Sequence, residues 1–101
     1  MTKKTGDAVL TRKKQKVKKP RMYKVILHND DFTTMEFVIR VLKRYFDKNT
    51  TEATKQMLEV HLKGHTVGGI FTKELAETKV QQVIDDARRE SFPFLATMEP
   101  E

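Results

Sequence analysis

The stretch Met22-Tyr23-Lys24-Val25-Ile26-Leu27-His28-Asn29-Asp30-Asp31-Phe32-Thr33-Thr34-Met35-Glu36-Phe37-Val38 decides how this chain folds. Its first seven residues crowd β-branched and aromatic side chains together, the composition of a buried or half-buried strand. Asn29-Asp30-Asp31 stops that strand, because Asn and Asp side chains hydrogen-bond to nearby backbone and so favour turns. Thr33 then offers an N-cap, and Glu36 three residues on completes a capping box. Met35, Val38, Ile39, Leu42, Tyr45 and Phe46 follow at helical spacing, with Arg40, Lys43 and Arg44 on the wet face. A strand, a turn and an amphipathic helix are therefore expected in succession.

Asp47 to Asn49 ends that helix and Thr50 or Thr51 caps the next, whose stripe is Ala53, Met57, Leu58, His61 and Leu62. Gly64 suits the left-handed position just past a helix end. His65 to Phe71 reads as a second strand weakened by Gly68-Gly69, a pair that suggests a strand irregularity or a close backbone contact. Thr72 caps a third helix, where Ala76, Val80, Val83, Ile84 and Ala87 recur at helical spacing. Pro93 enforces a break after it, and Phe94 to Met98 forms a third strand. The order β-α-α-β-α-β predicts an α+β fold: a small three-stranded antiparallel sheet packed against three helices.

The charge is unevenly placed. Among the 101 residues, 20 Lys and Arg outnumber 14 Asp and Glu, for a formal net charge of +6. Residues 1–20 hold eight of the basic side chains and a single acid, so the body, residues 21–101, is left at −1. The first 20 residues are polar and rich in Lys, and are expected to form a disordered basic extension. Apolar runs never exceed three residues, so no membrane-spanning segment is expected. No secretory leader is recognisable, which makes the cytoplasm the expected compartment. The absence of Cys removes disulfide frameworks, Cys-based zinc sites and thiol nucleophiles. A basic tail also raises the alternative of nucleic-acid binding through counterion release. The near-neutral body and the lack of aromatic residues within the tail's basic run argue against specific nucleic-acid recognition.

Few residues could carry catalysis. Ser91 is the only serine, and no base other than Glu90 stands near it in sequence. His61 and His65 have a metal-ligand spacing, but Gly64 is expected to end the helix between them, and no metal site is expected. His61 itself could be a satisfied core residue or a polar group at the rim of an apolar pocket. Asn29-Asp30-Asp31 could be a plain turn or a cluster of acceptors at a strand end. An ammonium group presents three donors, which Asn29, Asp30 and a neutral His61 could accept. Met35 and Met57 are core residues or adaptable pocket walls. Read together, these residues suggest a ligand with an ammonium group and an apolar side chain, such as a peptide N-terminus.

Met22 to Leu27, Asn29-Asp30-Asp31, Thr33, Met35-Glu36-Phe37-Val38, Met57, Val60-His61, Gly64, Gly69, Phe71-Thr72, Glu74, Ala76 to Val80 and Pro93 together resemble the ClpS family. The resemblance runs from about Pro20 to Glu99. It implies a small adaptor of the bacterial N-degron pathway, which binds substrates whose first residue is Leu, Phe, Tyr or Trp. The adaptor passes them to ClpA, the AAA+ unfoldase of the ClpAP protease. It implies that Asn29, Asp30 and His61 hold the free α-amino group, Asp30 partly through water. Thr33, Met35, Val38, Met57 and Val60 would line the side-chain pocket, with Phe94 near its base. Glu74 and Lys79 match positions that dock on the ClpA N-terminal domain, and the tail matches the segment that engages the unfoldase. Phe94 stands where the family usually has Leu, and Thr34 where it usually has Pro. The expected protein is a monomeric, non-enzymatic adaptor without a cofactor.

Overall fold

The computed structural model describes residues 19–101, and the expected basic extension therefore lies almost wholly outside the described residues. The elements follow the expected order: β1 (Met22–His28), α1 (Met35–Phe46), α2 (Thr50–Lys63), β2 (His65–Thr72), α3 (Lys73–Arg89) and β3 (Leu95–Pro100). β1 is the central strand of an antiparallel sheet ordered β2-β1-β3. Alternation along β1 sends Val25 and Leu27, both fully buried, towards the helices, where they join Val41, Leu42, Val60, Val83 and Ala96 in one core. The other face carries Lys24, Ile26 and His28. There His28 Nε2 and Thr97 Oγ1 share a 2.7 Å hydrogen bond, and Lys24 pairs with Glu99 at 3.7 Å. No helix among the described residues is long and apolar enough to cross a membrane.

The β1–β2 register slips between Val25 and Ile26, which face Gly69 and Val67, so Gly68 is the extra residue of a bulge. A Cβ on Gly68 would lie 2.9 Å from two atoms of the Phe46 ring. Both readings of the glycine pair thus hold at Gly68: an irregular strand and a close approach.

The helix ends differ from expectation in instructive ways. Thr34, not Thr33, caps α1, its hydroxyl accepting from Phe37 N at 3.2 Å. The expected Thr33–Glu36 capping box does not form, because the Thr33 hydroxyl is committed to Asp30. Asn49, not Thr50 or Thr51, caps α2, and it forms a full capping box with Glu52. Gly64 closes α2 at φ 92°, and its N–H donates to Val60 O. Asp47, at φ 56°, closes α1. Thr72 caps α3 by its extended backbone, without a side-chain hydrogen bond.

The buried face of α1 is also rotated from the expected stripe. It comprises Phe37, Val38, Val41, Leu42 and Phe46, while Met35 is 46% exposed and Ile39 and Tyr45 are half-buried. The cause is that α1 packs against α2 on one flank and α3 on another, so its apolar surface is broader than a single stripe.

Candidate functional site

The residues after β1 form a tight loop built by one side chain. Asp30 Oδ1 accepts from the Phe32 and Thr33 amides at 2.8 and 2.7 Å, and Oδ2 accepts from the Thr33 hydroxyl at 2.6 Å. Partial burial pushes the Asp30 carboxyl pKa up, but these three hydrogen bonds outweigh it and hold the group below its ordinary range. Asn29 N donates to Gly64 O at 2.9 Å, which ties the loop to the end of α2. The loop is thereby fixed at both ends.

A cleft of about 240 Å³ opens between this loop, α1 and α2. Asn29, Asp30, Asp31 and Thr33 line it from the loop, Met35 and Val38 from α1, and Met57, Val60 and His61 from α2. Val38, Met57 and Val60 are 5%, 8% and 2% exposed and form an apolar interior. Met35 and His61 are exposed and stand at the rim. His61 is therefore a rim residue and not a core histidine. The site thus has an apolar interior and an edge of amide, carboxylate, hydroxyl and imidazole acceptors. Such a site suits an apolar side chain attached to a cationic or hydrogen-bond-donating group.

The cleft gathers eight of the nine residues expected to hold the amine or line the side-chain pocket. The exception is Phe94, which is 3% exposed and packs edge-on against Phe37 at a ring distance of 5.8 Å. It lines a different depression, with Ile84, Arg88, Phe92, Pro93 and Leu95. Asp31 also joins the wall; the sequence pointed to it as one acid of the Asn29-Asp30-Asp31 acceptor cluster without giving it a role in holding the amine or lining the pocket. Glu74, in the first turn of α3, is exposed. Lys79 lies on the same helix with its ammonium 5.9 Å from the Phe71 ring centroid. Neither belongs to the cleft. His61 and His65 fall on different elements, α2 and β2, and His65 pairs in register with His28.

The two walls are held by separate polar clamps. On α2, Gln56 Nε2 donates to Val67 O at 2.8 Å and to Thr66 Oγ1 at 3.1 Å, and the Thr66 hydroxyl donates to Glu59. That hydrogen bond is the main reason the Glu59 carboxyl is held below its ordinary range, with Lys63 adding to it against partial burial. On α1, Arg40 and Tyr45 reach the buried carboxylate of Asp86 on α3.

Residues 18–97 match the family model described as ATP-dependent Clp protease adaptor protein ClpS. The ATP-dependent Clp protease adapter protein ClpS of Desulfatibacillum aliphaticivorans is 54% identical, over 95% of this chain and 91% of that protein. The protein of the same name from Roseobacter denitrificans is 55% identical, over 95% of this chain and 86% of that protein. Among solved structures, Agrobacterium tumefaciens ClpS2 bound to L-phenylalaninamide is 37% identical with a TM-score of 0.79, covering 82% of this chain and all of that one. The match spans the loop, α1 and α2 that enclose the cleft, and the chain belongs to the ClpS family of ATP-dependent Clp protease adaptors.

Proposed function

We propose that the cleft binds the free N-terminal residue of protein substrates whose first side chain is Leu, Phe, Tyr or Trp, and that the chain delivers them to a ClpA-type unfoldase. The observation that carries this reading is the convergence of Asn29, Asp30 and His61 on the edge of a cleft whose interior is Val38, Met57 and Val60. L-phenylalaninamide, the ligand named for the Agrobacterium protein, has the same two parts: a free α-amino group and one apolar side chain. The Asn29 side-chain carbonyl and a ring nitrogen of His61 accept directly from the ammonium. Three hydrogen bonds already occupy the Asp30 carboxylate, so its share of the ammonium comes chiefly as negative charge and through a bridging water. Thr33, Met35 and Val60 complete the walls around the side chain.

Two terms dominate the affinity. Burying one large apolar side chain contributes about 1.5–3 kcal/mol. Charge-assisted hydrogen bonds to the ammonium contribute about 1.5–3 kcal/mol each before the cost of ordering. Acetylation removes the charge and two of the donors, and adds bulk where the acceptors stand. A first residue branched at Cβ meets the rim beside Met35.

Delivery is assigned to the opposite part of the domain. Glu74 and Lys79 form the docking face for the unfoldase N-terminal domain, and the energy for unfolding comes from that partner. The chain enters the domain at Pro20 and Arg21, which share a cleft with Thr72, Lys73 and Glu74. That entry point adjoins the docking face, and the basic extension is assigned the role of engaging the unfoldase.

Fluorescence anisotropy with peptides that differ only at residue one tests the reading. Phe-first and Leu-first peptides should bind, and N-acetylation, Asp30→Ala or His61→Ala should abolish binding. Equal binding of free and acetylated peptides by the wild-type chain refutes it. Deleting residues 1–17 should leave peptide binding intact and impair degradation by the assembled protease.

A further inference from the structure

Asp86 is the only charged side chain that is buried among the described residues, at 3% exposure. It lies on α3, which contributes nothing to the pocket wall. Both of its oxygens are nevertheless committed to α1. Oδ1 accepts from Arg40 Nη2 at 2.8 Å, and Oδ2 accepts from the Tyr45 hydroxyl at 2.8 Å. Glu90 pairs with the same guanidinium, and Arg89 stands 3.6 Å from Asp86 Oδ1. The Arg40 guanidinium also covers the Phe37 ring at 4.9 Å from its centroid, and Phe37 is packed by Phe92 and Phe94.

Stability alone does not account for this arrangement. A buried carboxylate is costly to desolvate, and an apolar residue of similar volume is often at least as stabilising. Direction is what the carboxylate adds. Arg40 and Tyr45 are five positions apart, about 7.5 Å along the helix axis and on different azimuths. Bonds at two heights and two azimuths stop α1 from sliding or rolling on α3, motions that apolar contacts resist less sharply. Met35 and Val38, the α1 side of the pocket, ride on that helix. A site held to the needed accuracy requires such a supporting layer behind it.

We propose that Asp86 is a positioning residue for substrate selection: acting through Arg40 and Tyr45, it fixes α1 opposite α2 and so sets the pocket's discrimination among first residues. The inference rests on the reading of the cleft as an N-terminal-residue pocket.

The test uses the full chain and C-terminally labelled peptides that begin with Leu or with Ile. The readout is the ratio of the two dissociation constants. Tyr45→Phe removes one bond and keeps the ring, and Asp86→Asn removes the charge and keeps the shape. In both variants the Ile-to-Leu ratio should fall about threefold or more, the scale of one lost hydrogen bond. Circular dichroism at the assay temperature establishes that each variant is folded. Asp85→Asn, on the exposed neighbour, should leave the ratio unchanged. If Asp86→Asn does not fold, Tyr45→Phe decides alone. An unchanged ratio in a folded variant overturns this inference and leaves the proposed function standing. Equal binding of free and acetylated peptides by the wild type overturns both.

Discussion

Replacing Gly68 by Ala puts a methyl group where the fold has no room for one. The added Cβ would lie 2.9 Å from Phe46 Cδ1 and Cε1 and 3.1 Å from Cγ. Ordinary carbon–carbon contact is about 3.5–4.0 Å, so at least half an ångström must be found. Phe46 cannot supply it cheaply, because it is 6% exposed and its ring already packs on Phe71 at 6.1 Å. Either the bulge or the last turn of α1 must move. Overpacking of this kind costs about 1–3 kcal/mol. For a domain of this size each kcal/mol lowers Tm by about 4–8 °C, so a cost of about 2 kcal/mol predicts a drop of about 8–16 °C. Gly69→Ala is the internal control. Its Cβ would meet Cζ and Cε2 of Phe71, the far end of a half-buried ring that can swing aside, so its loss should be smaller. Thermal denaturation followed by circular dichroism ranks the two. The double variant Gly68→Ala with Phe46→Leu should be more stable than the two single effects added together, since the smaller side chain relieves the clash. A Gly68→Ala protein that melts within about 1 °C of wild type, or strict additivity in the double variant, would refute the close-approach argument.

Further outcomes follow from the caps, the loop and the clamps. Thr34→Ala should cost about 1 kcal/mol of unfolding free energy in urea titration, as loss of an N-cap does, and Asn49→Ala about the same. Thr33→Val should cost α1 no cap but weaken binding of a Phe-first peptide several-fold in anisotropy, because the Asp30 loop loses its 2.6 Å hydrogen bond; the reverse pattern would return the cap to Thr33. The carboxyl pKa values of Asp30 and Glu59 are lowered in the folded state. The stability they contribute is therefore fully present above the unfolded values and is lost as pH falls through the folded ones, below about pH 4.5. Thr66→Val removes the chief cause of the Glu59 shift, so Tm should fall less steeply between pH 5 and about pH 3 in that variant. An identical acid slope would show that the Thr66–Glu59 bond has no such role.

Local pattern was enough for much of this fold, and the exceptions have identifiable causes. The element order followed from β-branched crowding at Val25-Ile26-Leu27, from Gly64 and from the spacing of Ala76, Val80, Val83 and Ala87. The cap of α1 was misassigned because Thr33 and Thr34 are chemically equivalent candidates, and the choice depends on Asp30 capturing the first of them. The cap of α2 fell to Asn49, one residue before two threonines that read equally well. Arg40 looked like a wet-face residue, because its partner Asp86 stands 46 residues away in the chain. The cleft was legible as chemistry, since amide, carboxylate and imidazole acceptors lay near methionines on helical stripes. Its membership was not fully legible. Whether Phe94 faces the cleft or Phe37 is decided by where β3 begins after Pro93, which no spacing rule fixes.

The seven residues of β1 also act as a spacer. The cleft opens at the His28 end of the strand, while Thr72 and the start of α3 sit beside Met22 at the other. At about 3.3 Å per residue the two ends are about 20 Å apart. A partner whose footprint around Glu74 stays within that distance would leave the mouth of the cleft uncovered. Substrate and unfoldase would then occupy the adaptor simultaneously, with free energies that add and little coupling between them. Release of the substrate would require work done on it from outside, because docking by itself would not loosen the adaptor's grip.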